Sequence, residues 1–242
     1  MSMIEETYRV NIANIGKSNL ITNRGLLSML EDIACKHSDL AGFGINDMPV
    51  THLSWVLLAW KVNVLKRVPY GSFLRVRTWA KSANKFQTSR DFEVFDEKTG
   101  EIVCLATSKW VLIDGQKESM TRITDDIIEK YQPEDKNVFE NPEIDKLIEP
   151  DSFSNEYVYQ TQRRDIDVNQ HMHNLNYLDI AYETLPEEVY NATECDHIEI
   201  MYKKGIKLGE TVKCLYSFID NTHFVTIKSN DEKTLHAIIK LY

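Results

Sequence analysis

The chain has little cysteine and no paired cysteine motif. Cys35, Cys104, Cys195 and Cys214 are widely spaced and no C-x-x-C occurs, so a disulfide framework is not indicated and free thiols in a cytoplasmic setting are expected. Long apolar runs are also missing. No stretch is long enough to span a bilayer, and no apolar segment behind a basic start suggests a signal peptide. Cations are in deficit, with 28 Lys and Arg against 37 Asp and Glu and a formal net charge of −9. That balance argues against general nucleic-acid binding, which needs a basic face. What is present is core-forming material: 43% hydrophobic and 10% aromatic residues in 242, enough for one large domain or two small ones. Local basic clusters occur at Lys66-Arg67, Arg163-Arg164 and Lys203-Lys204 with Lys207. Each pair reads either as solvated surface or as a docking patch for an acidic partner.

Read in order, residues 4–15 alternate loosely and predict a first strand. Thr22-Asn23 resembles a helix N-cap, and Leu26, Leu30, Ile33, Ala34 and Ala41 then recur at helical spacing. A helix over 23–41 follows, stopped by Gly42. Gly25 and Ala34 would let it approach its cover closely. Residues 54–62 are apolar at nearly every position and predict a central strand buried on both faces. Strands are predicted over 74–79, 90–95 and 102–113, with turns at Pro69-Tyr70-Gly71 and at 96–100. Residues 114–152 are charged and hold Pro133, Pro142 and Pro150. They read as a structured linker with short helices starting at Thr124 and Asn141. The second half repeats the order, with a strand over 156–162, a helix over 174–185, and strands over 198–203, 211–219, 224–229 and 235–242. The division is 1–114, 115–152 and 153–242. A helix wrapped by an antiparallel sheet, made twice, is an α+β tandem.

One stretch concentrates chemistry. Residues 163–185 begin with two arginines, place Asp167, Asn169 and His171 at alternate positions, and run into the second helix. If 167–171 is extended, the three side chains share one face. Asp-x-Asn before a helix also reads as plain turn and capping chemistry, and His173 reads as a surface or packing residue. Other motifs fail on detail. Asp165-x-Asp167-x-Asn169 starts like a calcium loop, but Gln170 and Asn176 stand where Gly and Glu are needed. His171-Met172-His173 lacks the further ligands of a metal site. Gly16-Lys17-Ser18 lacks the upstream glycine of a phosphate loop. No G-x-S-x-G is present.

The tandem resembles the double hot-dog arrangement. Asp167-Val168-Asn169-Gln170-His171 with Asn174, Tyr177 and Glu183 is similar to the D-x-N-x-H-x-x-N-x-x-Y motif of acyl-acyl carrier protein thioesterases. Thr78-Trp79, Arg90-Asp91-Phe92 and residues 106–114 resemble first-half segments of that family. The resemblance implies an enzyme that hydrolyses long- or medium-chain acyl-carrier thioesters without a cofactor or metal, and the lack of a transit segment points to its bacterial branch. His171 would serve as general base, near its working pH. Asn169 would donate to the carbonyl or orient the water, and Asp167 would orient Asn169 or the imidazole. The start of the following helix would add amide groups. Trp55, Leu58, Trp60, Leu30 and Asn174 would contact the acyl group in an apolar tunnel. Arg163, Arg164, Lys203 and Lys204 would dock the acidic carrier. Two departures matter. His171-Met172-His173-Asn174 replaces the usual His-Val-Asn-Asn. Tyr202-Lys203-Lys204-Gly205-Ile206 replaces a segment where many plant members carry a Glu-Cys pair, so a cysteine-histidine mechanism has no thiol here. An acyl-coenzyme A thioesterase, a hot-dog dehydratase and a non-catalytic acyl-binding module remain the competing readings. A tandem of this kind fits a monomer or a homodimer.

Overall fold

The computed structural model describes residues 2–192 and 194–242. The chain forms two compact units, Met1–Ile144 and Asp145–Tyr242. Its class is mixed α and β, with antiparallel strands and few helices. Among the described residues no helix is long and apolar enough to cross a membrane.

The first unit holds β1 (Met3–Arg9), α1 (Asn23–Ala41), α2 (Met48–Thr51), β2 (Leu53–Val64), β3 (Phe73–Ala80), β4 (Gln87–Asp96), β5 (Ile102–Asp114), β6 (Ser119–Thr121) and α3 (Asp125–Glu129). Its strands run in the order β1-β3-β4-β5-β2, with β6 paired to β5. The first strand is shorter than expected because Asn11 closes a 3-10 turn over Ile12–Asn14, its side chain accepting from the Ala13 amide at 2.8 Å. That bond offers the backbone an alternative to the ladder. α1 has the predicted limits. Thr22 caps its start by accepting from the Gly25 amide at 3.0 Å, and Gly42 ends it in the left-handed region at φ 79°. Leu26, Leu30, Ile33, Ala34 and Ala41 are buried on one stripe, and α1 packs on β1 and β3.

Strand β2 departs from the expectation of burial on both faces. Val56 is 37% exposed, and Lys61 and Asn63 are only half-buried. A bulge between Leu57 and Ala59 shifts the register against β5. One extra residue at Leu58 returns Trp55, Leu57 and Trp60 to the face of Leu112, Trp110 and Ser108, their partners on β5. The expected short helix at Thr124 forms as α3, whereas none forms after Asn141. Only a few residues separate Pro142 from Pro150, too few to offset nucleation, and Ile144 and Leu147 are instead buried individually. The charged stretch before them is fastened to the sheet. The Trp79 indole donates to the Lys136 carbonyl at 3.0 Å, and the Val138 amide donates to buried Asp91 at 3.2 Å.

The second unit holds β7 (Asn155–Gln160), α4 (Asn174–Tyr182), α5 (Glu187–Asn191), β8 (His197–Tyr202), β9 (Thr211–Ile219), β10 (Thr222–Ser229) and β11 (Leu235–Leu241), with strand order β8-β11-β10-β9-β7. α4 lies against β10 and β11 and buries Leu175, Tyr177, Leu178, Ile180 and Ala181. It is shorter than the twelve-residue helix read from the sequence. Pro186 forces its neighbour out of the helical region, and the chain tightens first, with the Thr184 and Leu185 amides reaching the Ala181 and Tyr182 carbonyls.

Gly25 supplies a test of the packing at the start of α1. A Cβ there would lie 2.9 Å from the Asn14 Cα and closer still to the Asn14 carbonyl oxygen. Helix propensity alone makes Gly25→Ala stabilising by about 1 kcal/mol. The clash is with backbone, so the variant is expected instead to be destabilised by about 1–3 kcal/mol. Urea unfolding of the two proteins decides the sign.

Candidate active site

The stretch richest in functional groups is fixed at both ends by one buried acid. Asp165, 6% exposed, accepts from the Tyr159 hydroxyl and from the Gln162 amide, both at 2.7 Å. Its own carbonyl accepts from the His173 amide at 2.7 Å and from the Asn176 side chain at 3.2 Å. The residues between leave and return at nearly the same point.

They are not extended. Ile166 and Met172 form an antiparallel bridge, the Asp167 amide donates to the His171 carbonyl at 2.8 Å, and the Gln170 amide donates to the Asp167 carbonyl at 3.1 Å. Gln170 takes the left-handed conformation at φ 61°, a strain that the surrounding hydrogen bonds hold in place. The expectation that alternate positions of an extended strand share a face is therefore corrected: 167–171 is a tight turn. Asp167 Oδ1 accepts from the Asn169 amide at 2.8 Å and from the His171 amide at 3.3 Å. This is the turn chemistry that short Asp side chains provide. Asp167 and His171 come together across the turn, with Asn169 on its exposed arc. The carboxylate orients the backbone of both residues rather than the imidazole.

The imidazole is oriented by Asn169 instead. His171 Nδ1 lies 2.9 Å from the Asn169 carbonyl oxygen. A carbonyl only accepts, so in the neutral ring Nδ1 carries the proton and Nε2 keeps its lone pair. His173 has a different duty. It caps α4, its Nδ1 accepting from the Leu175 amide at 3.3 Å, a capping role rather than the surface or packing one expected. That bond takes up one of the amides expected to face a substrate.

The Gly205-Ile206 segment runs directly beside this histidine. The Met172 amide donates to the Ile206 carbonyl at 2.8 Å. The Ile206 amide donates to the Tyr177 hydroxyl at 3.2 Å. Tyr177 is buried, which pushes its phenol up to about 12, and its ring meets Tyr202 edge-on at 5.3 Å. The Tyr202 hydroxyl donates to the carbonyl of Asn174, the first residue of α4. A Cβ built on Gly205 would fall 2.6 Å from His171 Cδ2 and 3.3 Å from Nε2. The sequence marks Gly205 and Ile206 only as a departure from relatives. Their contact with His171 depends on a pairing across many residues that no local pattern announces.

The four basic side chains placed as docking residues are all exposed. Arg163 and Arg164 sit in the 3-10 turn just before the 167–171 turn, and Lys203 and Lys204 immediately precede Gly205. They therefore border the same turn from its two neighbouring segments. Among the described residues no three His, Cys, Asp or Glu side chains are grouped to hold a metal ion.

The acyl-contact candidates in the first unit are divided by their surroundings. Leu30 and Trp60 are fully buried, Trp60 packing against Phe92 at 5.2 Å. Leu58 is the bulged residue of β2. The Trp55 indole donates to the Tyr131 hydroxyl at 2.8 Å. A group missed in the sequence reading lies in the same unit. The buried Arg90 guanidinium donates to His37 Nδ1 at 2.9 Å and to Thr78 at 3.2 Å, with the Tyr131 ring 5.9 Å away. Burial lowers its pKa to about 10, which still leaves it charged at neutral pH.

Known proteins carry the same organisation. Residues 2–131 match the acyl-ACP thioesterase N-terminal domain, and residues 148–240 match the acyl-ACP thioesterase C-terminal domain. The chain is 26% identical over 228 residues to oleoyl-acyl carrier protein thioesterase 1, chloroplastic, of Arabidopsis thaliana, a match covering 87% of this chain and 62% of that protein. It is 25% identical over 224 residues to dodecanoyl-[acyl-carrier-protein] hydrolase, chloroplastic, of Umbellularia californica, covering 88% and 59%. It thus spans less than two thirds of the length of these curated relatives. The solved 12:0-ACP thioesterase from Umbellularia californica superimposes with a TM-score of 0.88 at 20% identity, over 99% of this chain and 96% of that one. An acyl-ACP thioesterase from Bacteroides thetaiotaomicron does so with a TM-score of 0.85 at 20% identity, over 99% and 96%. With both of its domain models matched over most of its length, the chain belongs to the acyl-ACP thioesterase family.

Proposed function

We propose that the protein hydrolyses long- or medium-chain acyl-acyl carrier protein to a free fatty acid and the carrier, with Asp167, Asn169 and His171 as its catalytic group. The observation that carries this reading is the fixed tautomer of His171, whose Nδ1 is held on a carbonyl so that Nε2 is available as a base. In the reaction, Nε2 takes a proton from water as the water oxygen bonds to the thioester carbonyl carbon. The carbonyl oxygen gains negative charge, which the Asn169 carboxamide stabilises by donating to it. The carbon–sulfur bond then breaks, and the departing thiolate receives the proton from the imidazolium. Asp167 acts on the geometry, holding the amides of both partners in the turn.

The finer architecture belongs to the same proposal. Each unit is a hot-dog, with 1–114 and 153–242 as the two domains and 115–152 as the linker. Residues of the first, Leu30, Trp55, Leu58 and Trp60, contact the acyl chain, and Asn174 of the second contacts the substrate near the turn. The packing of α1 on β1 and β3, and of α4 on β10 and β11, supports this arrangement.

Asn169→Ala is expected to lower turnover by about 10²–10³, and His171→Ala by about 10²–10⁴. Steady-state hydrolysis of an acyl-carrier substrate measures both. Near-normal rates in the two variants would overturn the assignment.

The basic pairs bordering the turn favour an anionic carrier over a small neutral thioester. Reversing Arg163 and Arg164, or Lys203 and Lys204, to Glu is expected to raise KM for acyl-carrier protein about tenfold. KM for a short uncharged thioester should stay unchanged. Equal effects on the two substrates would remove the docking role. Running the same acyl group on coenzyme A separates carrier recognition from attraction of any polyanion.

A further inference from the structure

The reading of His171 as the base leaves open what holds its ring. The Asn169 carbonyl fixes one edge of the imidazole, but one hydrogen bond does not define the plane of a ring that can turn about it. A second contact does. A Cβ on Gly205 would lie 2.6 Å from Cδ2, 3.1 Å from Cγ and 3.3 Å from Nε2 of His171. Ring atoms this close to the position of an absent Cβ mean that the imidazole rests on the backbone of Gly205. The glycine is used here for close approach, since its φ lies outside the left-handed range.

Gly205 cannot hold this position alone, because it sits in an exposed loop. Its neighbour is tied down from two sides. The Ile206 carbonyl accepts from the Met172 amide, next to His171, at 2.8 Å. The Ile206 amide donates to the Tyr177 hydroxyl at 3.2 Å, and Tyr177 is buried on α4. A buried backbone amide without a partner is costly. Tyr177 therefore fixes the height of the 205–206 backbone, and that backbone sets the plane of the ring.

We infer that Tyr177 and Gly205 are positioning residues of the reaction, forming a platform that holds the His171 imidazole with Nε2 presented to the water. The inference rests on the assignment of His171 as base.

The test uses the full chain with Tyr177→Phe, Gly205→Ala and His171→Ala, singly and with each platform change added to His171→Ala. Tyr177→Phe keeps the buried ring and removes only the acceptor. Gly205→Ala adds one methyl at a backbone conformation that alanine tolerates. Each single platform variant is expected to lower kcat about tenfold or more while KM stays within about twofold, with thermal midpoints of both measured alongside. Added to His171→Ala, neither should lower kcat further, because there is no ring left to position. The nitrogen chemical shifts of the His171 ring give a readout besides rate. They should report an Nδ1-protonated neutral ring in the parent and a mixture of tautomers in Gly205→Ala. Unchanged kcat in both platform variants, or the same loss with and without His171, overturns the platform. Full turnover in His171→Ala alone would instead overturn the catalytic assignment, so the two failures are told apart.

Discussion

The buried carboxylate of Asp165 is the constraint on which the site depends. It takes hydrogen bonds from the Tyr159 hydroxyl and the Gln162 amide, while the carbonyl of the same residue takes the His173 amide and the Asn176 side chain. A carboxylate that is 6% exposed must be well supplied with donors, and the donors here come from β7, from the 3-10 turn and, through the carbonyl, from the start of α4. These bonds pinch the chain into a loop of fixed width. Within that width only a tight turn fits, and Asp167 supplies the acceptor that such a turn needs. Asp167, Asn169 and His171 are thus placed by local backbone chemistry, with the strands and α4 serving as its mounting.

Much of this was legible in the sequence where the signal is periodic or local. α1 could be placed to the residue because Thr22 and Gly42 mark its ends and its apolar stripe is regular. The strands of both halves follow from alternation between turn residues. The triad was legible as a cluster of chemistry, yet its geometry was not. Alternation of Asp167, Asn169 and His171 looks the same in a strand and in a turn, and what decides between them is the bond from Asp167 to two amides. Asp165 stands out in the sequence only as the first position of a calcium-like spacing that fails at Gln170 and Asn176. β2 misled for a related reason: a run of apolar residues is compatible with burial on both faces, and the bulge at Leu58 that rephases the strand has no mark of its own. Gly205 was read as a loss, since identity alone does not show that an imidazole occupies the vacated space.

The core of the first unit is not uniformly apolar. Arg90 is enclosed with His37, Thr78 and the Tyr131 ring, and its charge has neutral acceptors and an aromatic ring for company. Tyr131 also accepts from Trp55 and donates to Ser38. One tyrosine near the end of α3 therefore links a cation, a helix and a strand. The polar links restrict how the neighbouring side chains can repack, which an oily interior alone would permit.

Surface loops between strands usually accept changes of length. The loop from Lys203 to Glu210 looks like such a place, being mostly exposed and closed by a left-handed Gly209. Its spacing is nevertheless set from both ends. Lys203 is bonded to the His236 carbonyl, Ile206 lies between Met172 and Tyr177, and Lys207 is held by the Glu210 carboxylate at 2.8 Å. One inserted residue before Ile206 would slide a side-chain-bearing position under the histidine. In this chain the count of residues in an exposed loop therefore sets what lies beneath the His171 ring.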